Sequence, residues 1–181
     1  QSVNPLAIIA LAPLFTILWG YLSKRRMEPS SPKKMAMGLA LVALGYLVIA
    51  FAVHGIDASA KVSMWWLIGL YVSHTCGELC LSPIGLSLVS KLAPKRFSSL
   101  LMGVWFLANA AGYALAGTLG ALLPPVEAEN GAAITFPSFL GFEIHNLYEF
   151  FMVFVIMAGI AAVLLYTLAN GPLKRMMHGI R

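Results

Sequence analysis

Five stretches of mainly apolar residues constrain this chain most, since each reaches the range of about 17–25 residues that a helix needs to cross a bilayer. They cover residues 5–22, 35–53, 62–92, 99–123 and 147–169. Only 10% of the 181 residues are charged, too few to cover a water-facing surface, which excludes an ordinary soluble domain. Because lipid leaves backbone groups without water partners, we expect an all-α membrane protein with five transmembrane helices.

The basic residues gather on one side of these spans. Eleven of the twelve fall there, and the other side carries only Lys61. The eleven are Lys24, Arg25, Arg26, Lys33, Lys34, Lys91, Lys95, Arg96, Lys174, Arg175 and Arg181. The positive-inside rule makes this side cytoplasmic. Five spans then place Gln1 outside, the loop 126–145 outside and Arg181 in the cytoplasm, in a plasma (inner) membrane. An outside start without a leader predicts further helices upstream. The net charge of +5 therefore reflects topology, not nucleic-acid binding.

One acidic residue lies deep within a span. Glu78 follows Val62 by about sixteen residues, which places it near mid-membrane at ~1.5 Å per residue. A carboxylate there costs several kcal/mol unless it is protonated, paired or hydrated, so it marks a functional site by default. No Lys or Arg lies at membrane depth in the five spans to pair with it, since Lys91 is at the cytoplasmic end of its span. His74, one turn earlier, either lines the same cavity or is a satisfied core imidazole.

A proline follows Glu78 on the same span. Pro83 lacks an N–H and so removes one helix hydrogen bond, which bends a helix. Gly77 and Gly85 flank it, and we interpret the three residues as a gating hinge, with a merely structural proline as the alternative. Ser82 lies on the face of Glu78, at a helical spacing of four.

Other polar or bulky residues stand out in the first and fourth spans. Asn4, beside Pro5, is either a pore-side hydrogen-bonding group or a helix cap. Trp105 is either a pocket wall or lipid-facing bulk, and Asn109, one turn later, needs a partner for its amide. Small residues recur every four positions in the fourth span and predict close packing against another helix. They are Ala108, Gly112, Ala116 and Gly120.

Three segments carry a resemblance to a known family. They read QSVNP at residues 1–5, GELCLSPIGLS at residues 77–87 and MGVWFL at residues 102–107. These segments resemble the proton-dependent oligopeptide transporters, a branch of the major facilitator superfamily. The resemblance covers nearly the whole chain and matches its spans to helices eight to twelve of that family. It implies that helix seven and the amino-terminal six-helix bundle lie outside this sequence.

The resemblance implies proton-coupled import of di- and tripeptides by alternating access, with protons as the coupling ion and no cofactor. It implies that Glu78 binds the peptide amino terminus, that Asn4 contacts the peptide backbone and that Trp105 forms part of the pocket wall. We add His74, Ser82 and Asn109 as candidate substrate-binding residues. The family's main proton-coupling residues lie on helix one, so none is assigned here.

Two alternatives to a transporter come from the residues themselves. His74 with Glu78 and His145 with Glu149 have the i, i+4 spacing of metal-binding pairs, which suggests an intramembrane metalloenzyme. The two pairs lie at different depths and no HExxH motif is present, so we expect no enzyme. A structural membrane subunit is the other alternative. In the outer loop, residues 134–142 either lie on the membrane surface or form a short hairpin.

Overall fold

The computed structural model of the chain describes residues 3–56, 62–125, 136–171 and 173. Five helices follow one another: α1 (Val3–Lys24), α2 (Ser31–Ala52), α3 (Met64–Leu92), α4 (Ser98–Gly120) and α5 (Leu147–Asn170). A 3-10 turn, Lys95–Phe97, precedes α4, and two short strands, β1 (Ser138–Phe139) and β2 (Phe142–Glu143), precede α5. The all-α class is confirmed.

The helices differ in how well they suit lipid. Among the described residues, four helical segments are long and apolar enough to cross a membrane: α1, α2, α5 and Lys95–Gly120, which contains α4. The prediction counted α3 as a fifth such span, but α3 is not among them although it is the longest helix, at 29 residues. Its run of polar residues, including His74, Thr75 and Glu78, lowers its hydropathy. Such a helix needs protein or water along its polar face.

The core of the bundle is a layer of three helices. α2 packs extensively against α3 on one side and α5 on the other, whereas α1 and α4 make smaller contacts with α3. Ala36, Ile49 and Ala50 of α2 are buried, as are Cys80 of α3 and Ala162 of α5. Neither α1 nor α4 buries any residue within the described part of the chain. The two are therefore attached to the outside of the three-helix layer.

Small residues bring α2 and α3 into close contact. A Cβ atom added to Gly38 would lie 2.7 Å from the carbonyl oxygen of Gly77, and one added to Gly77 would lie 2.8 Å from the carbonyl oxygen of Gly38. Farther along, Gly45 faces Ser73, whose hydroxyl donates to the carbonyl of Leu41 at 2.9 Å. The two backbones approach this closely because neither glycine carries a side chain.

The small-residue stripe of the fourth span makes no such contact in this structure. A Cβ atom at Gly112 or Gly120 would meet nothing within 4 Å, and Ala108 and Ala116 are exposed. Close packing through small residues is found instead between α2 and α3, for which the sequence analysis made no such prediction.

A tight hairpin precedes α5. β1 and β2 pair antiparallel, with Phe139 opposite Phe142. The turn residues Leu140 and Gly141 both have positive φ angles, of 51° and 87°, as a two-residue hairpin with matching twist requires. The hairpin alternative thus holds for residues 138–143, while residues 134 and 135 lie outside the described residues.

Candidate functional site

The mid-membrane carboxylate of Glu78 lies in a hydrogen-bonded group of three side chains, which we call the Glu78 cluster: Asn4, Thr75 and Glu78. The amide Nδ2 of Asn4 donates to Oε2 of Glu78 at 3.3 Å. The Oδ1 atom of Asn4 accepts from the hydroxyl of Thr75 at 2.6 Å. Asn4 therefore connects two residues of α3 with its two polar atoms.

Helix periodicity accounts for the two members of the cluster that lie on α3. Thr75 and Glu78 are three residues apart on α3 and so lie on one face. Asn4 lies in the first turn of α1, the helix that packs on this face of α3. Thr75 is fully buried, whereas Glu78 is exposed, and its second oxygen accepts no hydrogen bond within the described part of the chain. The Glu78 carboxylate, held through its Oε2 atom, is therefore available to bind a positively charged ligand.

Trp105 closes the space between α3 and α4. Its indole ring covers Gly85 so tightly that a Cβ atom there would collide with the ring. Trp105 thus reaches the helix that carries Glu78. Asn109 does not, because it is exposed and its amide donates to the carbonyl of Trp105 at 3.0 Å within α4. The Asn109 amide therefore has a hydrogen-bond partner within its own helix.

His74 and Ser82 lie apart from the cluster. The imidazole of His74 packs edge-on against the ring of Tyr46 in α2, with centroids 4.4 Å apart. Its Nε2 atom is buried and has no hydrogen-bond partner among the described residues. The structure therefore turns His74 towards α2, not towards Asn4. Ser82 is exposed one turn beyond Glu78 on α3.

The three residues assigned to a hinge have distinct surroundings. α3 remains helical through Pro83, from Met64 to Leu92. Gly77 lies under α2 and Gly85 lies under the Trp105 ring, so both glycines are contact points for neighbouring helices. Bending at Pro83 stays a prediction.

Sequence reasoning left Thr75 out of the candidate residues. Its signal was present, since a hydroxyl three residues before Glu78 falls on the same helix face. A second group, at the end of the bundle that carries the basic loops, was also missed. There, buried Lys34 forms an ion pair with Glu28, and its Nζ lies 4.5 Å from the Trp19 ring centroid. Hydrogen bonds from Lys34 and then Ser23 hold the pKa of Glu28 below its ordinary value.

Comparison with known protein families bears directly on this arrangement. The family model PTR2, described as the POT family, matches residues 1–134, nearly three quarters of the chain. The chain belongs to the POT family. The predicted resemblance is thereby confirmed, and the chain is a multi-pass membrane protein of a transporter family.

Several relatives resemble this POT-family chain in sequence. An uncharacterized transporter, YclF, of Bacillus subtilis is 42% identical over 70% of this chain and 25% of its own length. The peptide transporter YePEPT of Yersinia enterocolitica is 43% identical over 66% of this chain and 24% of its own. A di-/tripeptide transporter of Lactococcus lactis is 36% identical over 75% of this chain and 27% of its own. The chain thus spans about a quarter of the length of these relatives.

Solved POT structures share the fold. A peptide transporter POT in complex with sulfate is 34% identical and superposes with a TM-score of 0.74, covering 94% of this chain and 30% of that one. A POT family transporter in complex with a thioalcohol-conjugated peptide is 31% identical, with the same TM-score and the same coverage.

Membership of a transporter family argues against the metalloenzyme alternative. Within the described residues, no group of three or more His, Cys, Asp or Glu side chains could hold a metal ion. The pair His145 and Glu149 has a structural role instead. The Asn146 side chain accepts from the backbone N–H of Glu149 at 2.8 Å, and Glu149 accepts from the backbone N–H of His145 at 2.7 Å. This reciprocal capping begins α5.

Proposed function

We propose that this chain is part of a proton-coupled symporter that imports di- and tripeptides by alternating access, and that Glu78 binds the peptide amino terminus. The observation that carries the proposal is the hydrogen bond between Asn4 and Glu78, which fixes a mid-membrane carboxylate that has no basic partner among the described residues. Two relatives, a peptide transporter and a di-/tripeptide transporter, support the substrate class.

The charge of Glu78 explains why a peptide amine is a suitable ligand. An isolated carboxylate near mid-membrane is unfavourable, and an ammonium group at the same place is equally so. Pairing the two compensates both charges. Because Asn4 holds Oε2 in place, the carboxylate meets the amine without first losing its own rotational freedom.

Asn4 is suited to a second contact. Its Oδ1 atom is occupied by Thr75, and one of its two amide hydrogens is directed to Glu78. The remaining amide hydrogen can donate to a backbone carbonyl of the bound peptide. We propose that Trp105 forms the neighbouring wall and that Ser82 lies along the same face. His74 and Asn109 stay candidate substrate-binding residues, with His74 packed against Tyr46 and the Asn109 amide bonded within α4.

The remaining parts of the proposal concern the complete transporter. We propose that this chain works with an amino-terminal bundle, since it spans about a quarter of its relatives, and that the main proton-coupling residues lie in that bundle. We place the protein in the plasma membrane with Gln1 outside and Arg181 in the cytoplasm. The basic residues of three loop regions support this orientation.

The test compares Glu78→Gln with wild type in the complete transporter, measuring uptake of a dipeptide and of its N-acetylated form. We expect Glu78→Gln to weaken uptake of the free dipeptide and to remove the preference over the acetylated one. Glu143→Gln, which removes a carboxylate in the exposed hairpin, is the matched control and should transport normally. Unchanged uptake and affinity in Glu78→Gln would disprove the assigned role.

A further inference from the structure

A cavity outside the Glu78 cluster lies at the end of the bundle that carries the basic loops. It has a volume of about 440 Å³ and opens between the end of α1, the start of α2 and the end of α3. Its polar lining is Ser23, Arg26, Glu28, Ser31, Lys34, Ser87 and Lys91. Lys91 follows Glu78 by thirteen residues of α3, about 20 Å along a helix. On α3 the lining runs from Pro83 to Lys91 and includes no residue of the Glu78 cluster, so the cavity is distinct from that cluster.

The charges of this cavity are unbalanced. Three basic side chains and one acidic side chain line it, and the acidic one, Glu28, is already paired with Lys34. Lys34 is buried and held between Glu28 and the Trp19 ring. Within the described part of the chain, neither Arg26 nor Lys91 has an ion-pair partner. Two uncompensated cations thus face one cavity.

The backbone at Arg26 adds an independent sign of a side-chain role. α1 ends with the N–H of Met27 bonded to the carbonyl of Leu22 and the N–H of Arg26 bonded to that of Ser23, both at 3.0 Å. This pair of hydrogen bonds requires the residue just after the C-cap to adopt left-handed backbone angles, and glycine is the usual residue at that position. Arg26 occupies it with φ of 56°. A bulky residue in a glycine conformation suggests that the guanidinium is needed there.

The start of α2 completes the arrangement. Ser31, the first residue of this 22-residue helix, lines the cavity, and Ser30 at the cap position makes no side-chain cap hydrogen bond. The helix therefore presents its positive end beside Arg26 and Lys91, where an anion is stabilised. The hydroxyl of Ser87 adds a further donor.

From this geometry we infer that the cavity binds a phosphate group between Arg26, Lys91 and the start of α2. Phosphate matches the planar fork of an arginine and the point charge of a lysine. Its source is either the headgroup of an anionic phospholipid in the leaflet at this end of the bundle or free inorganic phosphate. Binding there neutralises the two uncompensated cations.

The experiment measures binding of both sources to the complete protein. Native mass spectrometry compares retained phosphatidylglycerol with phosphatidylcholine, and a ³¹P NMR titration follows inorganic phosphate. Lys91→Gln should weaken binding about tenfold, as loss of one charge-assisted hydrogen bond does. Lys95→Gln removes the same charge from the neighbouring turn, outside the cavity, and should bind as wild type does.

A second variant separates binding from folding. Arg26→Gly removes the cation but suits the left-handed backbone, so it should fold at least as stably as wild type while binding about tenfold more weakly. Selective loss of phosphatidylglycerol in Lys91→Gln and Arg26→Gly assigns a lipid headgroup, and saturable phosphate binding with the same pattern assigns the free ion. No binding of either probe, or equal weakening by Lys95→Gln, overturns the inference.

Discussion

Replacing Gly77 with Ala should push α2 and α3 apart and disturb the Glu78 cluster. The new Cβ atom would lie 2.6 Å from a methyl of Val42 and 2.8 Å from the carbonyl oxygen of Gly38. The methyl can rotate away, but the oxygen belongs to the helix backbone. Ordinary contact begins at 3.4 Å, so the helices must separate by 0.6 Å at this point.

A shift of α3 away from α2 also moves Glu78 relative to α1, which carries Asn4. Glu78 is the next residue, and its hydrogen bond with Asn4 measures 3.3 Å. A lengthening of about 0.3 Å takes the two atoms out of hydrogen-bonding range. We therefore expect Gly77→Ala to weaken peptide affinity as well as the fold, although residue 77 does not itself belong to the cluster.

A second alanine variant separates the free-energy cost of overpacking from the gain in helix propensity. Overpacking costs about 1–3 kcal/mol, whereas Gly→Ala within a helix returns about 1 kcal/mol through propensity. Gly112→Ala in α4 gains the propensity term alone, because its Cβ atom meets nothing within 4 Å. The unfolding free energies of the two variants should differ by about 1–3 kcal/mol, measured by SDS-driven unfolding of the complete protein in mixed micelles.

Two outcomes would refute this reasoning. Equal unfolding free energies for the two alanine variants would show that α2 and α3 do not meet at Gly77. A destabilised Gly77→Ala protein with unchanged dipeptide affinity would show that this contact does not position the cluster.

Three further predictions concern the same helices. Thr75→Val leaves Oδ1 of Asn4 without its donor and should weaken dipeptide affinity in binding assays, whereas Thr75→Ser should retain it; equal affinities would contradict the cluster. Pro83→Ala should slow transport turnover more than it weakens binding, and equal effects on both would count against a hinge. The pKa of Glu28 is lowered from 4.5, so the ion pair with Lys34 stabilises the fold above pH 4.5, and this contribution is lost as the pH falls through the lowered pKa. Lys34→Gln should therefore move the titration of the Glu28 carboxyl group, followed by ¹³C NMR, back towards 4.5. An unmoved titration would exclude Lys34 as the cause.

The fold followed largely from local sequence rules. Apolar runs of this length form helices in lipid, so the five helices could be predicted from the sequence without knowledge of tertiary contacts. The pairing of Thr75 with Glu78 is likewise local, since it depends on helix periodicity alone. The proposed role of Asn4 came from a family resemblance, and its contact with Glu78 across two helices appears only in the structure.

Contacts between helices were harder to predict. Small residues at a spacing of four in α4 and the wider-spaced Gly38 and Gly45 in α2 are equally able to admit a neighbouring helix, and the sequence does not say which helix packs against them. The neighbour of His74 could not be predicted from the sequence either. Periodicity placed His74 within one turn of Glu78, but a small rotation around α3 directs it to Tyr46 instead. Such choices depend on the packing of the whole layer.

The two sides of α3 differ in how freely they can change over evolution. At Gly77 there is no room for a methyl group against α2, and Ser73 fills the space beside Gly45, whereas Ser82 and Glu78 are exposed. Under the proposed function, substitutions on the exposed side change contacts with the peptide and leave the packing of α2 against α3 intact. A library intended to diversify specificity therefore belongs at exposed α3 positions such as Ser82, with the glycine contacts left untouched.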